Sequence, residues 1–177
     1  MSNKTTYDIR TTINKPNINI IQLNSQYFNN RQNTGLFVNT VYKNFFDLAK
    51  DDKLKHNFEE INRLIMSPLF AGYFVKYGTK IIGYLLGEIL LLNDGRKVFY
   101  INYLYVSHYF RKSGIASKLL DSAIMYAKNL NLDAVMLTCD TENYYVHNFY
   151  LKRGFMLDMV LRKYEKHDVF SLPIKFF

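Results

Sequence analysis

The stretch "VSHYFRKSGIASKLL", residues 106–120, joins the end of an apolar run to the start of an amphipathic helix through a short basic loop. The first N–H groups of a helix lack partners inside the helix, and together with the helix dipole they attract anions. Gly114 lets phosphate oxygens approach the backbone closely, and Ala116 keeps the first helical turn thin. The stretch therefore predicts a strand, a phosphate-binding loop and a helix, although an ordinary basic turn fits the same residues.

Apolar runs on either side of this stretch predict the sheet to which it belongs. Three runs precede the loop and one follows the helix: "LFAGYFVKY" (69–77), "KIIGYLLGEILLL" (80–92), "KVFYINYLYVS" (97–107) and "AVMLTCD" (134–140). Links as short as "GT" and "NDGR" indicate antiparallel hairpins. The passage from strand through helix to strand indicates a right-handed crossover, which makes 97–107 and 134–140 a parallel pair. Ligands of such sheets bind at the carboxyl ends of the parallel strands, where the basic loop lies.

The remaining segments complete a mixed α/β fold, which we expect to form one domain over residues 1–177. They comprise a strand at "NINIIQLN" (17–24), two helices between 35 and 66 that break near Asp51, a helix at 143–153 closed by Gly154, and two strands at "FMLDMVLRKYE" (155–165) and "HDVFSLPI" (167–174). The prediction is a central, mostly antiparallel sheet with one parallel strand pair, flanked by helices.

Composition excludes several classes of function. The formal net charge is +8, yet the positive residues are scattered and form no block of five, which favours an anionic ligand over a nucleic-acid surface. The single cysteine, Cys139, excludes an internal disulfide and a cysteine-rich metal site. No run is long enough to span a membrane and no signal segment is evident, so we expect a cytoplasmic protein that uses no metal.

A second motif, "NYYVHNFYLKRGF" (143–155), follows the strand at 134–140. At 3.6 residues per turn, one face of this helix is predicted to point toward the cleft, and it carries Asn143, His147, Tyr150 and Gly154. Two apolar residues, Val146 and Phe149, are predicted to point toward the core. Tyr150 is also one of 15 tyrosines, so a simple packing role fits it as well.

Together the two motifs resemble those of the GNAT superfamily of acyl-CoA-dependent N-acetyltransferases. "LYVSHYFRKSGIASKLL" (104–120) is similar to the family's pyrophosphate motif, and residues 143–155 are similar to its second motif, with Val146 where a small residue is usual. The resemblance implies acetyl-CoA as cosubstrate and an amine as acceptor. It implies that the backbone of Leu104, Tyr105 and Val106 holds the pantetheine arm and the acetyl carbonyl. It further implies that the pyrophosphate lies on Arg111, Lys112, Ser113, Gly114, Ile115, Ala116 and Ser117, that Asn143 binds near the thioester, and that Tyr150 stands beside the sulfur.

The chemistry of a thioester fits these roles. Attack by an amine places negative charge first on the carbonyl oxygen and then on the leaving sulfur, so donors are needed at both positions. A phenol, with an ordinary pKa near 10, suits protonation of a leaving thiolate. Tyr150 is therefore the candidate catalytic residue, acting in direct transfer without an acyl-enzyme.

The group that accepts the amine proton is less defined. Acids that some relatives carry are absent at Thr138, Asn102 and Tyr103. Three candidate bases remain: His147, Asp140 and Glu88. The absent acids also leave open a second function, an inactive CoA-binding regulatory module.

Cys139 is expected to pack as a small apolar residue. The C-terminal run "RKYEKHDVFSLPI" (162–174) supplies either an edge strand for a homodimer or a wall of the acceptor site, and the sequence does not distinguish these two roles.

Overall fold

The computed structural model describes residues 19–46, 56–164 and 167–175. Its strands are β1 (Ile20–Leu23), β2 (Phe70–Tyr77), β3 (Lys80–Leu91), β4 (Lys97–Val106), β5 (Ala134–Asp140), β6 (Met156–Leu157), β7 (Lys163–Tyr164) and β8 (His167–Pro173). Its α-helices are α1 (Arg31–Phe46), α2 (Phe58–Met66), α3 (Ile115–Asn129) and α4 (Tyr144–Lys152). These elements confirm the predicted mixed α/β fold.

The eight strands form one sheet in the order β1-β2-β3-β4-β5-β8-β6, with β7 also paired to β8. β4 and β5 run parallel, and every other strand pair of the described chain is antiparallel. The parallel pair was predicted from the crossover through α3. Its position in the middle of the sheet brings the loop before α3 to the carboxyl end of β4.

Helices cover the two faces of the sheet with separate apolar cores. On one face, α3 and α4 pack over β2 to β5 and β8, with Phe99, Leu119 and Phe170 almost wholly buried. On the other face, α1 and α2 pack over β1 to β4, around Phe74 and Tyr84. None of the helices among the described residues has the length and apolar character needed to cross a membrane.

The N-terminal elements differ from the predicted bounds. β1 is shorter than the predicted strand, and part of that strand lies outside the described residues. α1 begins at Arg31, ahead of Gly35, because the Asn30 side chain accepts a hydrogen bond from the backbone N–H of Gln32 at 3.0 Å. The predicted break near Asp51 also lies outside the described residues.

The prediction of one strand over 155–165 was wrong. β6 and β7 are two-residue strands, and the chain between them turns around the carboxylate of Asp158, whose side chain is 1% exposed. That carboxylate accepts hydrogen bonds from the backbone N–H groups of Val160 (3.0 Å) and Leu161 (2.7 Å) and from the Arg96 guanidinium at 2.7 and 2.9 Å. The turn exposes Met159 and Val160, which the alternating pattern had counted as strand residues.

Candidate functional site

A wedge opens between the two parallel strands at the centre of the sheet. β4 pairs with β5 from Val98 to Ile101, opposite Ala134 to Leu137. Beyond that seam β4 continues to Val106 paired with β3, and β5 continues to Asp140 paired with β8. Along 102–106, alternate peptide groups of β4 therefore point away from β3 and toward the wedge. A narrow slot lined by backbone donors and acceptors suits an extended chain that contains amides.

A β-bulge in β4 stands where the two strands separate. Tyr103 pairs with Leu86 and Ile101 pairs with Gly87, so Asn102 is the extra residue. Glycine is required at 87, because a Cβ there would lie 2.5 Å from the Tyr100 carbonyl oxygen. Bulges bend a strand and increase its twist, which turns the end of β4 away from β5. The Asn102 Oδ1 atom is buried at this bend, with no hydrogen-bond partner in the described part of the chain.

Two hydroxyl groups close the floor of the wedge. The Tyr100 and Thr138 hydroxyl oxygens are 3.0 Å apart. Tyr100 is still paired with Met136, whereas Thr138 is the first β5 residue past the pairing with β4. Sequence reasoning noted Thr138 only as a position without an acid and did not select Tyr100. Their contact depends on the register of the parallel pair, and no local pattern in the sequence reports that register.

The loop at the mouth of the wedge has the geometry of an anion seat. Gly114, at φ 85°, is the N-cap of α3, and the first helical hydrogen bond runs from the Lys118 N–H to its carbonyl at 3.0 Å. The N–H groups of Ile115, Ala116 and Ser117 are therefore the first-turn donors, which have no acceptor within the helix. Lys112 is also held in the left-handed region, at φ 62°.

Side chains of the loop tie it to the end of β4. The Arg111 Nε donates to the Val106 carbonyl oxygen at 3.1 Å, and the Ser113 hydroxyl donates to the Phe110 carbonyl oxygen. Arg111 and Lys112 are exposed, and so is Ser113. The structure thus brings the predicted loop residues together beside Val106, whose carbonyl already has one partner.

α4 carries the second motif along the other wall of the wedge. The Asn143 Oδ1 accepts from the Val146 N–H at 3.3 Å, so Asn143 is the N-cap. Tyr150, which was predicted to share a cleft-facing face with Asn143, is 6% exposed and packs edge-on to Phe155 at a ring-centroid distance of 5.6 Å. Its place beside the sulfur stays a prediction. Burial raises the pKa of Tyr150 above its ordinary value, so it remains a neutral hydrogen-bond donor.

The three candidate bases all have partners in the structure. Glu88 is 6% exposed and forms a bidentate ion pair with Arg63 at 3.0 and 3.3 Å. The His147 Nε2 lies 2.8 Å from the Asp140 carbonyl oxygen and therefore carries a proton, which leaves only Nδ1 to accept another. The Asp140 carboxylate is exposed and accepts from the Glu142 N–H at 3.0 Å.

Cys139 is buried in the core beneath α4, as predicted. Burial raises the pKa of its thiol to about 12, with Asp140 and Asp168 adding to the rise. The thiolate needed for an acetyl-cysteine intermediate is therefore scarce at neutral pH.

We expect Cys139→Ala to retain kcat within about twofold and the native protein to resist iodoacetamide at pH 8, because the thiol is neutral and inaccessible. Mass spectrometry before and after denaturation measures the labelling, and the denatured protein, which should react, is the control. Acetylation of Cys139 by acetyl-CoA in the native protein would contradict this expectation.

Among the described residues, no cluster of three His, Cys, Asp or Glu side chains is arranged to hold a metal ion.

A family model described as "Acetyltransferase (GNAT) family" matches residues 36–155, which include the wedge, the loop and α4. This chain belongs to the GNAT acetyltransferase family. The match covers both sequence motifs that carried the resemblance. None of the curated proteins matches the sequence.

Solved structures of GNAT acetyltransferases share the fold at low sequence identity. A GNAT-family acetyltransferase from Staphylococcus aureus Mu50 is 21% identical with a TM-score of 0.64, over 89% of this chain and 99% of that one. A chain of the NatC complex bound to Gag peptide and CoA is 21% identical with a TM-score of 0.66, over 90% and 99%. An aminoglycoside acetyltransferase from an uncultured soil metagenomic sample, in complex with sisomicin, is 17% identical with a TM-score of 0.62, over 83% and 94%.

Proposed function

We propose that this protein transfers the acetyl group of acetyl-CoA to a primary amine by direct attack on the thioester. The observation that carries the proposal is the wedge between β4 and β5 with the N-terminus of α3 at its mouth. An acetylated pantetheine arm is extended and contains two amides, which match a slot lined by alternating backbone groups. Its pyrophosphate is an anion, which matches the donors at the helix start.

The cosubstrate would lie along residues that the fold brings together. The pyrophosphate would rest on the backbone from Arg111 to Ser117, with the Arg111 and Lys112 side chains adding positive charge. The arm would pass along Leu104, Tyr105 and Val106, and the amide NH2 of Asn143 would donate to it from α4. No metal is required for this chemistry.

The reaction needs stabilisation of two developing charges. A backbone N–H of β4 in the wedge would donate to the thioester carbonyl oxygen as the amine attacks. Tyr150 would donate its phenolic proton to the sulfur as the C–S bond breaks. Burial raises the pKa of Tyr150, so its hydroxyl would stay protonated and available as a donor until the sulfur leaves.

The acceptor class is left open by the fold. The structural neighbours include a chain of the NatC complex, which is bound to Gag peptide and CoA, and an aminoglycoside acetyltransferase in complex with sisomicin. Both ligands carry amines, so these neighbours support an amine acceptor without choosing between a protein and a small molecule. The cytoplasmic location and the homodimer stay predictions.

A second candidate is a CoA-binding regulatory module without transfer activity. It is favoured by the partners of the candidate bases, because Glu88 is paired with Arg63 and His147 is bonded to the Asp140 carbonyl. Tight binding of acetyl-CoA without acetylation of any amine in a broad panel would establish this candidate.

Calorimetric titration with acetyl-CoA tests the phosphate seat. We expect affinity on the order of micromolar for wild type and a loss of about 100-fold for Gly114→Asp, because a carboxylate would be placed beside the pyrophosphate. Gly114→Asn is the matched control, since Asn has the same size and tolerates the same left-handed backbone but carries no charge. We expect it to lose about fivefold.

S-acetylpantetheine, which lacks the pyrophosphate, separates the phosphate seat from the wedge. Its weaker binding should be equal in wild type and in the two variants. Equal affinity of wild type and Gly114→Asp for acetyl-CoA would show that the loop is an ordinary basic turn, and the enzyme proposal would then lose its main support.

A further inference from the structure

His56 connects α1 to β4 on the face of the sheet that α1 and α2 cover. Its ring stacks on Tyr42 of α1 at a centroid distance of 5.3 Å and lies against Tyr103 of β4 at 5.7 Å. The His56 Nε2 is 2.9 Å from the Tyr42 carbonyl oxygen, and Nδ1 is 3.1 Å from the Tyr103 hydroxyl. Both ring nitrogens are therefore used, and both His56 and Tyr103 are only partly buried.

The partners of His56 determine which nitrogen carries the proton. A carbonyl oxygen can only accept, so Nε2 must be the donor. In the neutral ring Nδ1 is then an acceptor, and the Tyr103 O–H donates to it. This arrangement is a phenol hydrogen-bonded to a basic nitrogen, which sequence reasoning did not select because the two residues are 47 positions apart.

Tyr103 lies where an acceptor would meet the thioester. It is the second residue of β4 past the seam with β5, and its ring belongs to the α1 and α2 face. The phosphate-binding loop and α4 belong to the opposite face, packed with α3. A pantetheine arm that enters from the loop and crosses the wedge would therefore present its acetyl group toward the side on which Tyr103 stands.

We propose that Tyr103 and His56 form a proton relay that takes a proton from the acceptor amine; this proposal rests on the proposed acetyl transfer. An ammonium N–H would pass its proton to the Tyr103 oxygen while the phenolic proton moves to His56 Nδ1. The neutral amine then forms the C–N bond as the C–S bond breaks. The amine loses two protons in all, one ending on the CoA thiol and the other released to water from His56.

The charges around the pair suit this role. Burial raises the pKa of Tyr103 to about 12, with Glu60 adding to the rise and Arg63 opposing it, so Tyr103 transmits a proton while remaining a phenol. Imidazolium at His56 would keep its Nε2–H bond to the Tyr42 carbonyl. Within residues 19–46, 56–164 and 167–175, the phenols of Tyr42, Tyr84 and Tyr105 are further titratable groups of the aromatic cluster around the pair.

The relay is tested with His56→Gln and Tyr103→Phe. The Gln side chain can still donate to the Tyr42 carbonyl but offers no basic nitrogen, and Phe keeps the ring and loses the hydroxyl. With the fastest acceptor among a lysine peptide, a peptide with a free N-terminus, kanamycin and spermidine, we expect kcat to fall about 100-fold in each variant, and no further in the double variant. The wild-type rate should fall as pH falls because imidazolium cannot accept the proton, and this acid limb should vanish in His56→Gln.

The affinity for acetyl-CoA should be unchanged in His56→Gln and in Tyr103→Phe. Tyr84→Phe is the matched control, because it removes another buried hydroxyl from the same aromatic cluster. It should keep kcat within about twofold. Wild-type kinetics and pH dependence in His56→Gln would overturn the relay while leaving acetyl transfer intact. A wild-type protein that acetylates no amine would overturn both proposals. Because the variants can fail to fold, ¹⁵N NMR of the His56 ring in the wild type gives a second test: a proton on Nε2 supports the relay, and neutral His56 protonated on Nδ1 overturns it.

Discussion

Tyr150→Phe is expected to lower kcat about 1,000-fold while acetyl-CoA affinity changes little. The phenol is the donor proposed for the leaving sulfur, and its burial excludes the water that could replace it. The loss concerns the transition state, so it should appear in kcat with little change in Kd. Steady-state kinetics with saturating amine, together with calorimetric titration of acetyl-CoA, measure the two quantities separately.

Tyr145→Phe is the matched control for this substitution. Tyr145 lies on the same helix, and its side chain is 87% exposed, so removal of its hydroxyl should leave the rate unchanged. With a more reactive thioester that has a better leaving group, the ratio of the wild-type kcat to the Tyr150→Phe kcat should become smaller, because less protonation of the sulfur is needed. A Tyr150→Phe protein with the wild-type rate would remove Tyr150 from the mechanism.

Asp158→Ala is expected to destabilise the protein by about 3–5 kcal/mol and to lower its melting temperature by about 10 °C. The substitution removes a buried carboxylate and leaves Arg96, with 20% side-chain exposure, as well as two backbone N–H groups, without their acceptor. Thermal unfolding followed by circular dichroism measures the change. Asp94→Ala is the control, because Asp94 bonds the same guanidinium from the surface and should change the melting temperature by less than about 2 °C.

The effect of Asp158 also has a predictable pH dependence. Burial alone would raise the pKa of this carboxyl, but the hydrogen bonds from Arg96 and from the backbone of Leu161 and Val160 together lower it well below its ordinary value. A carboxyl with a lower pKa in the folded state stabilises the protein above its unfolded pKa of about 3.9 and loses that effect as pH falls. The difference in melting temperature between wild type and Asp158→Ala should therefore shrink below about pH 4, and a constant difference would argue against this account.

Much of the fold was predictable because it depends on local signals. Links such as "GT" and "NDGR" are too short for anything but hairpins, and the crossover through α3 required a parallel pair. The turn before α3 was predictable for the same reason, since Gly114 and the helix start are adjacent in the chain. The prediction over 155–165 was wrong because Asp158 is paired with Arg96, 62 residues away, and a buried charge of this kind is not visible in strand periodicity.

The candidate site was less predictable because its polar groups meet through the register of the sheet. The bulge at Asn102 depends on Gly87 lying against the Tyr100 carbonyl across β3 and β4. Helical spacing placed Tyr150 beside Asn143, yet Phe155 and Phe170 enclose its ring from outside the helix. Glu88 was predicted as a candidate base, and its ion pair with Arg63, 25 residues earlier in the chain, has no local signal in the sequence.

The short seam between β4 and β5 divides the sheet into two half-sheets. Each half is held by its own antiparallel pairs, and four residue pairs join them. α3 packs against strands of both halves and therefore acts as a brace across the division. A molecule bound along the wedge would add a further link between the halves without separating any paired strands, so ligand binding should cost little deformation energy and should couple their motions.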